Sequence, residues 1–397
     1  MRSLRQPRDF GRPDQPGALR RRDVLRLGLG MAGMFYAGLG HGAEPPHLVA
    51  LKTLAAKKGL LFGSASDVEI LKAPEQYRAL FAAQCDLFAP ILSWGYVAPE
   101  GPQKDPGRSD PNTAFAAAQG MKLTGAHLLW HLNTPAWFAS LDEGAAAKGA
   151  AAAHIRAMMQ IYRGQTFSWN VVNEALDPRS WRLDGLRESV LLRKLGPDFI
   201  EFAFRVAHDA DPKMLLAYND YDMETDHWDH VRRRISLLKL LERLKARDVP
   251  IGAIGLQSHL RIDGGHFDAK RYRRFLTDIA SFGVRILITE LDVLDLDAPA
   301  DYGARDRLVA DRYLEFLEVA LDETAVAAVT CWGLADQYSW LNLDTSGDFR
   351  RKDDQPGRPL LFDTDFTPKP SFFAVARAFN GAPTRPPLLP ETHALAP

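Results

Sequence analysis

FSWNVVNEAL, residues 167–176, and its counterpart RILITELDVL, residues 285–294, are the stretches on which the fold turns. Each is an apolar run rich in β-branched and aromatic residues, too short for a helix, that passes directly into carboxylates: Glu174 in the first, Glu290 and Asp292 in the second. Further strand-like runs lie on either side. With these two they make eight, at 60–64, 86–90, 122–129, 167–172, 214–218, 254–259, 285–289 and 326–332. Between them, stretches such as 197–210 and 235–247 space their apolar residues as helices do. Strands alternating with helices announce βα units around a parallel sheet. Eight units over about 320 residues predict an α/β fold, a (β/α)8 TIM barrel forming a single catalytic domain over 44–397. An open doubly wound sheet is disfavoured, because no Gly-rich phosphate loop follows the first run. The stretches 101–111 and 344–358 are expected as exposed loops, and the Ala-rich run 144–153 as the start of a surface helix.

In such a barrel, reactive groups stand at the C-terminal ends of strands. A carboxylate directly after an apolar strand costs several kcal/mol if it is buried without partners, so Glu174 and Glu290 require a cleft or a hydrogen-bonding shell. One such Glu would be no more than a helix cap or an ion pair. Two at matched positions meet the requirement for glycosidic cleavage, where one carboxyl protonates the leaving oxygen and the other attacks the anomeric carbon.

The formal net charge of −1, with no basic stripe among aromatics, argues against nucleic acid and for a neutral substrate such as a polysaccharide or oligosaccharide. Cys85 and Cys331 are the only cysteines. Each sits in an apolar run, which fits packing better than a disulfide or a metal site. His127 and His131 are four apart, but on a strand an even spacing only places them on one face. No metal and no cofactor are expected.

Residues 1–43 stand apart. Eight arginines against three aspartates give this segment a net charge of +5, and an apolar Gly-rich stretch follows, too short for a membrane span of about 20 residues. Arg21-Arg22-Asp23-Val24-Leu25 resembles a twin-arginine export signal, an address read by the translocation machinery rather than an anchor. The expected location is therefore periplasmic or secreted, with no stable membrane anchor.

The motifs taken together resemble glycoside hydrolase family 10, the (β/α)8 xylanases. WNVVNEAL (169–176) resembles its acid/base motif, with Asn170 where Asp is usual, and TELDV (289–293) its nucleophile motif. Asn219-Asp220-Tyr221, Gly255-Leu256-Gln257-Ser258-His259, Thr330-Cys331-Trp332-Gly333, Asp336-Gln337-Tyr338-Ser339-Trp340 and Pro359-Leu360-Leu361-Phe362-Asp363 follow in the family's order. The resemblance implies that Glu174 is the acid/base and Glu290 the nucleophile of a retaining glycosidase. It implies that Asn173 holds the sugar 2-hydroxyl, that His259 hydrogen-bonds to Glu290, and that Asp292 supports His259. It also implies that Trp130, Trp332 and Trp340 wall the scissile sugar, that Gln257 supports the site, and that Asn219 and Tyr221 serve the downstream sugars.

Two departures touch the upstream sugar sites. Ala89-Pro90-Ile91-Leu92-Ser93-Trp94-Gly95-Tyr96 stands where the family has Thr-Pro-Glu-Asn-Glu-Met-Lys-Trp, so polar contacts are missing at Ile91, Leu92 and Gly95. Ile91, Leu92 and Trp94 then suggest an apolar platform for a decorated sugar. In the third run Ala126 takes the place of the family's His, and His127, one step along, is expected to face away. Three functions remain open: a β-1,4-xylan hydrolase, the same chemistry on another β-glycan or glycoconjugate, and a non-catalytic carbohydrate-binding envelope protein on a decayed barrel.

Overall fold

The computed structural model describes residues 48–101, 110–344, 347, 349–386 and 388; the expected export segment 1–43 and most of the expected loop at 101–111 lie outside them. Eight parallel strands close on themselves: β1 (Leu61–Ala65), β2 (Leu87–Ala89), β3 (Lys122–Gly125), β4 (Thr166–Asn173), β5 (Leu215–Asp220), β6 (Ala253–Leu256), β7 (Arg285–Leu294) and β8 (Val326–Cys331). Closure is made by β1 against β8, with Leu61 opposite Ala328 and Ser64 opposite Cys331. The fold is the (β/α)8 barrel.

Almost every strand residue is buried, as expected of strands covered on one side by helices and on the other by the barrel interior. The helices supply the outer cover in the ordinary amphipathic way. In Ala269–Ala280, Tyr272, Phe275, Leu276 and Ile279 face inward, and Asp268 caps the start by accepting from the Lys270 and Arg271 amides. Leu87, Phe167, Ala217, Ala253, Leu287 and Ala327, all near strand beginnings, form a separate apolar cluster. Polar side chains are left for the opposite, C-terminal edge.

Three of the eight expected strands differ in detail. The third ends at Gly125 and resumes only as Leu129–Trp130; Gly125 is opposite Trp169 and Leu129 opposite Val172, so β3 carries one residue more than its neighbour over that span. The sixth breaks at Ser258 (φ +61°) before the short strand His259–Arg261. The seventh continues past Thr289 to Leu294, so Glu290 lies within it rather than after it. The Ala-rich run enters helix Ala145–Ile161 and buries Ala147, Ala151 and Ala152. The stretch 344–358 is not simply an exposed loop: Arg351 and Arg358 are buried, with Arg358 Nε and Nη2 donating to Asp306 at 2.7 and 2.8 Å. Pairing is what makes that burial tolerable. Cys85 and Cys331 are buried free thiols. Among the described residues, no helix is long and apolar enough to cross a membrane.

Candidate active site

Glu174 follows the last residue of β4 with φ +55°, a conformation sparsely populated outside glycine, and its amide donates to the Asn219 carbonyl of β5 at 2.9 Å. The turn takes the side chain out of strand alternation. Glu174 Oε1 accepts from Gln257 Nε2 at 3.0 Å and from Asn173 Nδ2 at 3.2 Å. Burial raises the Glu174 carboxyl above its ordinary value of 4.5, and the Gln257 bond offsets this only in part.

Glu290 has different company. Its Oε2 lies 3.1 Å from His259 Nε2, while His259 Nδ1 lies 2.9 Å from Asp292 Oδ1. Two carboxylate acceptors on one ring require two N–H groups, so His259 is an imidazolium. Burial by itself lowers the pKa of His259, but Asp292 and Glu290 reverse this and hold it well above its usual range. Trp340 Nε1 donates to the other Asp292 oxygen at 2.8 Å. For Glu290, burial pushes upward, and the imidazoles of His127 and His259 outweigh it, bringing the carboxyl down to about 2.

His127 is the first correction. Its Nε2 stands 3.6 Å from Glu290 Oε1, so it faces the site instead of away from it. The extra residue between Gly125 and Leu129 cancels the alternation that predicted otherwise, and the same break means that no regular strand face joins His127 to His131, which opens a 3-10 turn. Asn219 is the second. It is fully buried, with Nδ2 donating to Glu290 Oε1 at 2.8 Å and Asn173 Oδ1 at 2.9 Å, and Oδ1 accepting from Thr289 Oγ1 at 2.7 Å. It is a brace between the strands that carry Glu174 and Glu290, and its full burial keeps it from downstream sugars. Gly255 makes room for it, since a Cβ there would come within 2.2 Å of Asn219 Oδ1.

The apolar platform at Ile91, Leu92 and Trp94 does not form. Leu92 is 0% and Trp94 1% exposed, the latter stacked on the His154 ring at 4.7 Å. The half-buried Trp332 and Trp340 pack edge-on to His259 at 6.4 and 5.5 Å, and Trp130, paired with Asn173 in register, leans on His127 at 5.2 Å. Tyr221 is tied into the acid/base side: its hydroxyl accepts from Arg187 Nη2 at 2.7 Å, Arg233 lies 4.2 Å over its ring, and Arg187 Nε also donates to the Glu174 carbonyl at 2.9 Å.

Sequence reasoning missed Arg187 and Arg233, whose positions carry no motif signal, and Asp67. Asp67 lies in the loop after β1, and burial together with Asp292 and Glu290 raises its carboxyl to about 7. Among the described residues no group of three His, Cys, Asp or Glu is placed to hold a metal ion.

Two buried carboxyls whose pKa values are pushed in opposite directions, at the mouth of a (β/α)8 barrel, are the arrangement of a glycosidase centre. The chain belongs to glycosyl hydrolase family 10, whose model matches residues 50–378. It is 34% identical to endo-1,4-beta-xylanase B of Paenibacillus barcinonensis, covering 67% of this chain and 80% of that one. Endo-1,4-beta-xylanase B of Thermotoga neapolitana is 28% identical over 82% of this chain and 90% of its own. The crystal structure of native xylanase 10B from Thermotoga maritima superposes with a TM-score of 0.73 at 28% identity, over 83% of this chain and 98% of that one.

Proposed function

We propose that this protein hydrolyses β-1,4-xylosidic bonds in xylan or xylo-oligosaccharides with retention, and that it does so after export. The observation that carries the chemistry is the unlike surroundings of two buried carboxyls: imidazoles at Glu290 that lower its pKa, and amides at Glu174 that leave burial to raise its own. Glu290 attacks the anomeric carbon while Glu174 gives its proton to the departing oxygen, leaving a glycosyl ester on Glu290. Water then donates a proton to Glu174 as its oxygen attacks the same carbon, which releases Glu290. Between about pH 2 and the raised pKa of Glu174 both groups hold the required state.

The xylosidic substrate is supported by the family and by relatives whose names specify endo-1,4-β-xylanase. The test is release of nitrophenol from aryl β-xyloside and aryl β-glucoside, with proton NMR of the first-formed sugar. Release from the xyloside with the β-anomer appearing first is expected. Preference for the glucoside would move the reaction to another β-glycan, and silence on both would indicate a decayed barrel. Export rests on the Arg21-Arg22 signal. Replacing both arginines with lysine is expected to leave an uncleaved cytoplasmic precursor, and mature protein still found outside would overturn the twin-arginine route.

A further inference from the structure

Trp181 is 70% exposed and Trp228 46% exposed, and their rings lie nearly parallel, 13° apart, with centroids 6.5 Å from each other. Both stand on the catalytic face. Trp181 is on the loop that leaves β4 only a few residues after Glu174, and Trp228 opens helix Trp228–Ala246 after β5. We propose that this pair is an accessory platform for a polysaccharide chain, outside the cleft, that takes the backbone of the same β-1,4-linked xylan. The inference rests on the substrate reading above.

An exposed indole pair costs solvation, so its presentation calls for an occupant with flat apolar faces and a polar rim, which is the character of a pyranose ring. The loop holds Trp181 in place before anything binds. Asp177 N donates to Gly185 O at 3.0 Å, and Ser180 Oγ donates to Leu186 O at 2.9 Å. Arg182 forks onto Asp184 at 2.9 and 2.8 Å and reaches Glu188 at 2.7 Å. A side chain already fixed loses little entropy on binding. Arg232 lies 4.1 Å over one face of the Trp181 ring and Arg179 5.9 Å over that of Trp228, which steadies both indoles while the exposed remainder of each ring stays open to a sugar. The helix that presents Trp228 is tied to the loop that carries Glu174: Arg233, on that helix, donates to the Leu176 carbonyl at 2.6 Å, two residues from Glu174.

The experiment compares the full-length wild type, Trp181→Ala, Trp228→Ala, the double variant and Trp181→Tyr. Retardation in native gels containing soluble xylan is measured beside kcat/KM on xylan and on an aryl β-xyloside. Wild type is expected to be retarded. The double variant should lose most of that retardation and about tenfold in kcat/KM on polymer, with the aryl xyloside unchanged within about twofold, and Trp181→Tyr should recover much of the loss. Retardation of the double variant equal to wild type, or no retardation of wild type, would overturn the platform. Equal losses on polymer and aryl xyloside would make the pair a structural support. A dimer lost in the double variant while xylan retardation stays intact would make the face a self-association surface. Failure to cleave any xyloside would instead strike the substrate reading, since gel retardation is read without turnover.

Discussion

Glu290 and Glu174 are both buried, are linked through Asn219 and Asn173, and are pushed in opposite directions. Around Glu290 stand two imidazoles, one of them charged by Asp292 behind it. Around the Glu174 carboxyl the side-chain donors are neutral, the Gln257 and Asn173 amides among them, and Asp220 and Glu290 add like charge. Burial raises any carboxyl; a cation within hydrogen-bond reach reverses that, and an amide only moderates it. The opposite proton affinities of the two carboxyls, on which the proposed roles of nucleophile and acid depend, therefore come from the residues around them.

The most severe disruption is expected from Glu290→Ala. Without the attacking carboxylate no glycosyl ester forms, and activity should fall on the order of 10⁶-fold, the scale seen when a covalent nucleophile is removed. Azide should restore part of the rate and give the inverted product. Near-normal turnover would remove Glu290 from its role. Glu174→Ala is expected to cost ~10²- to 10⁴-fold on substrates with basic leaving groups and far less on those with acidic ones. A uniform loss in kcat/KM across a series of aryl xylosides would mean that Glu174 is not the proton donor.

The second layer is tested by His259→Gln. Losing the imidazolium removes part of what holds Glu290 down at about 2, so burial raises its carboxyl with only His127 left to oppose the rise. Because attack requires the ionised form, activity should then be lost at a higher pH as acid is added, and the acid limb of kcat/KM should move up by about two pH units. Asp292→Asn should move it the same way by a smaller amount, because the ring then loses the anion that favours its charge. An unmoved limb in both variants would mean that His127 alone sets the charge of Glu290.

The smallest effect concerns the upstream side, where Ile91, Leu92 and Gly95 lack the family's polar contacts. Each absent hydrogen bond is worth about 0.5 to 3 kcal/mol. A second upstream xylose on a shared leaving group should therefore improve kcat/KM by less than about a hundredfold. A larger gain would show upstream contacts made by other residues.

The sequence by itself determined the eight strands, their order, and the two glutamates at the barrel's edge, because hydrophobic runs and the carboxylates that follow them are local patterns. It also singled out His259 and Asp292, through the family motifs that contain them. Other matters were decided only by tertiary structure. One added residue in β3 turned His127 towards Glu290, against strand alternation. Asn219 became a buried brace because Gly255, Thr289 and Asn173 meet around it, from strands 30 to 80 residues away in the chain. Leu92 and Trp94 went into the core instead of forming a platform. The protonation of each glutamate likewise depends on neighbours more than 30 residues distant in sequence, since desolvation and Coulomb forces act through space and chain order does not record who stands 3 Å away.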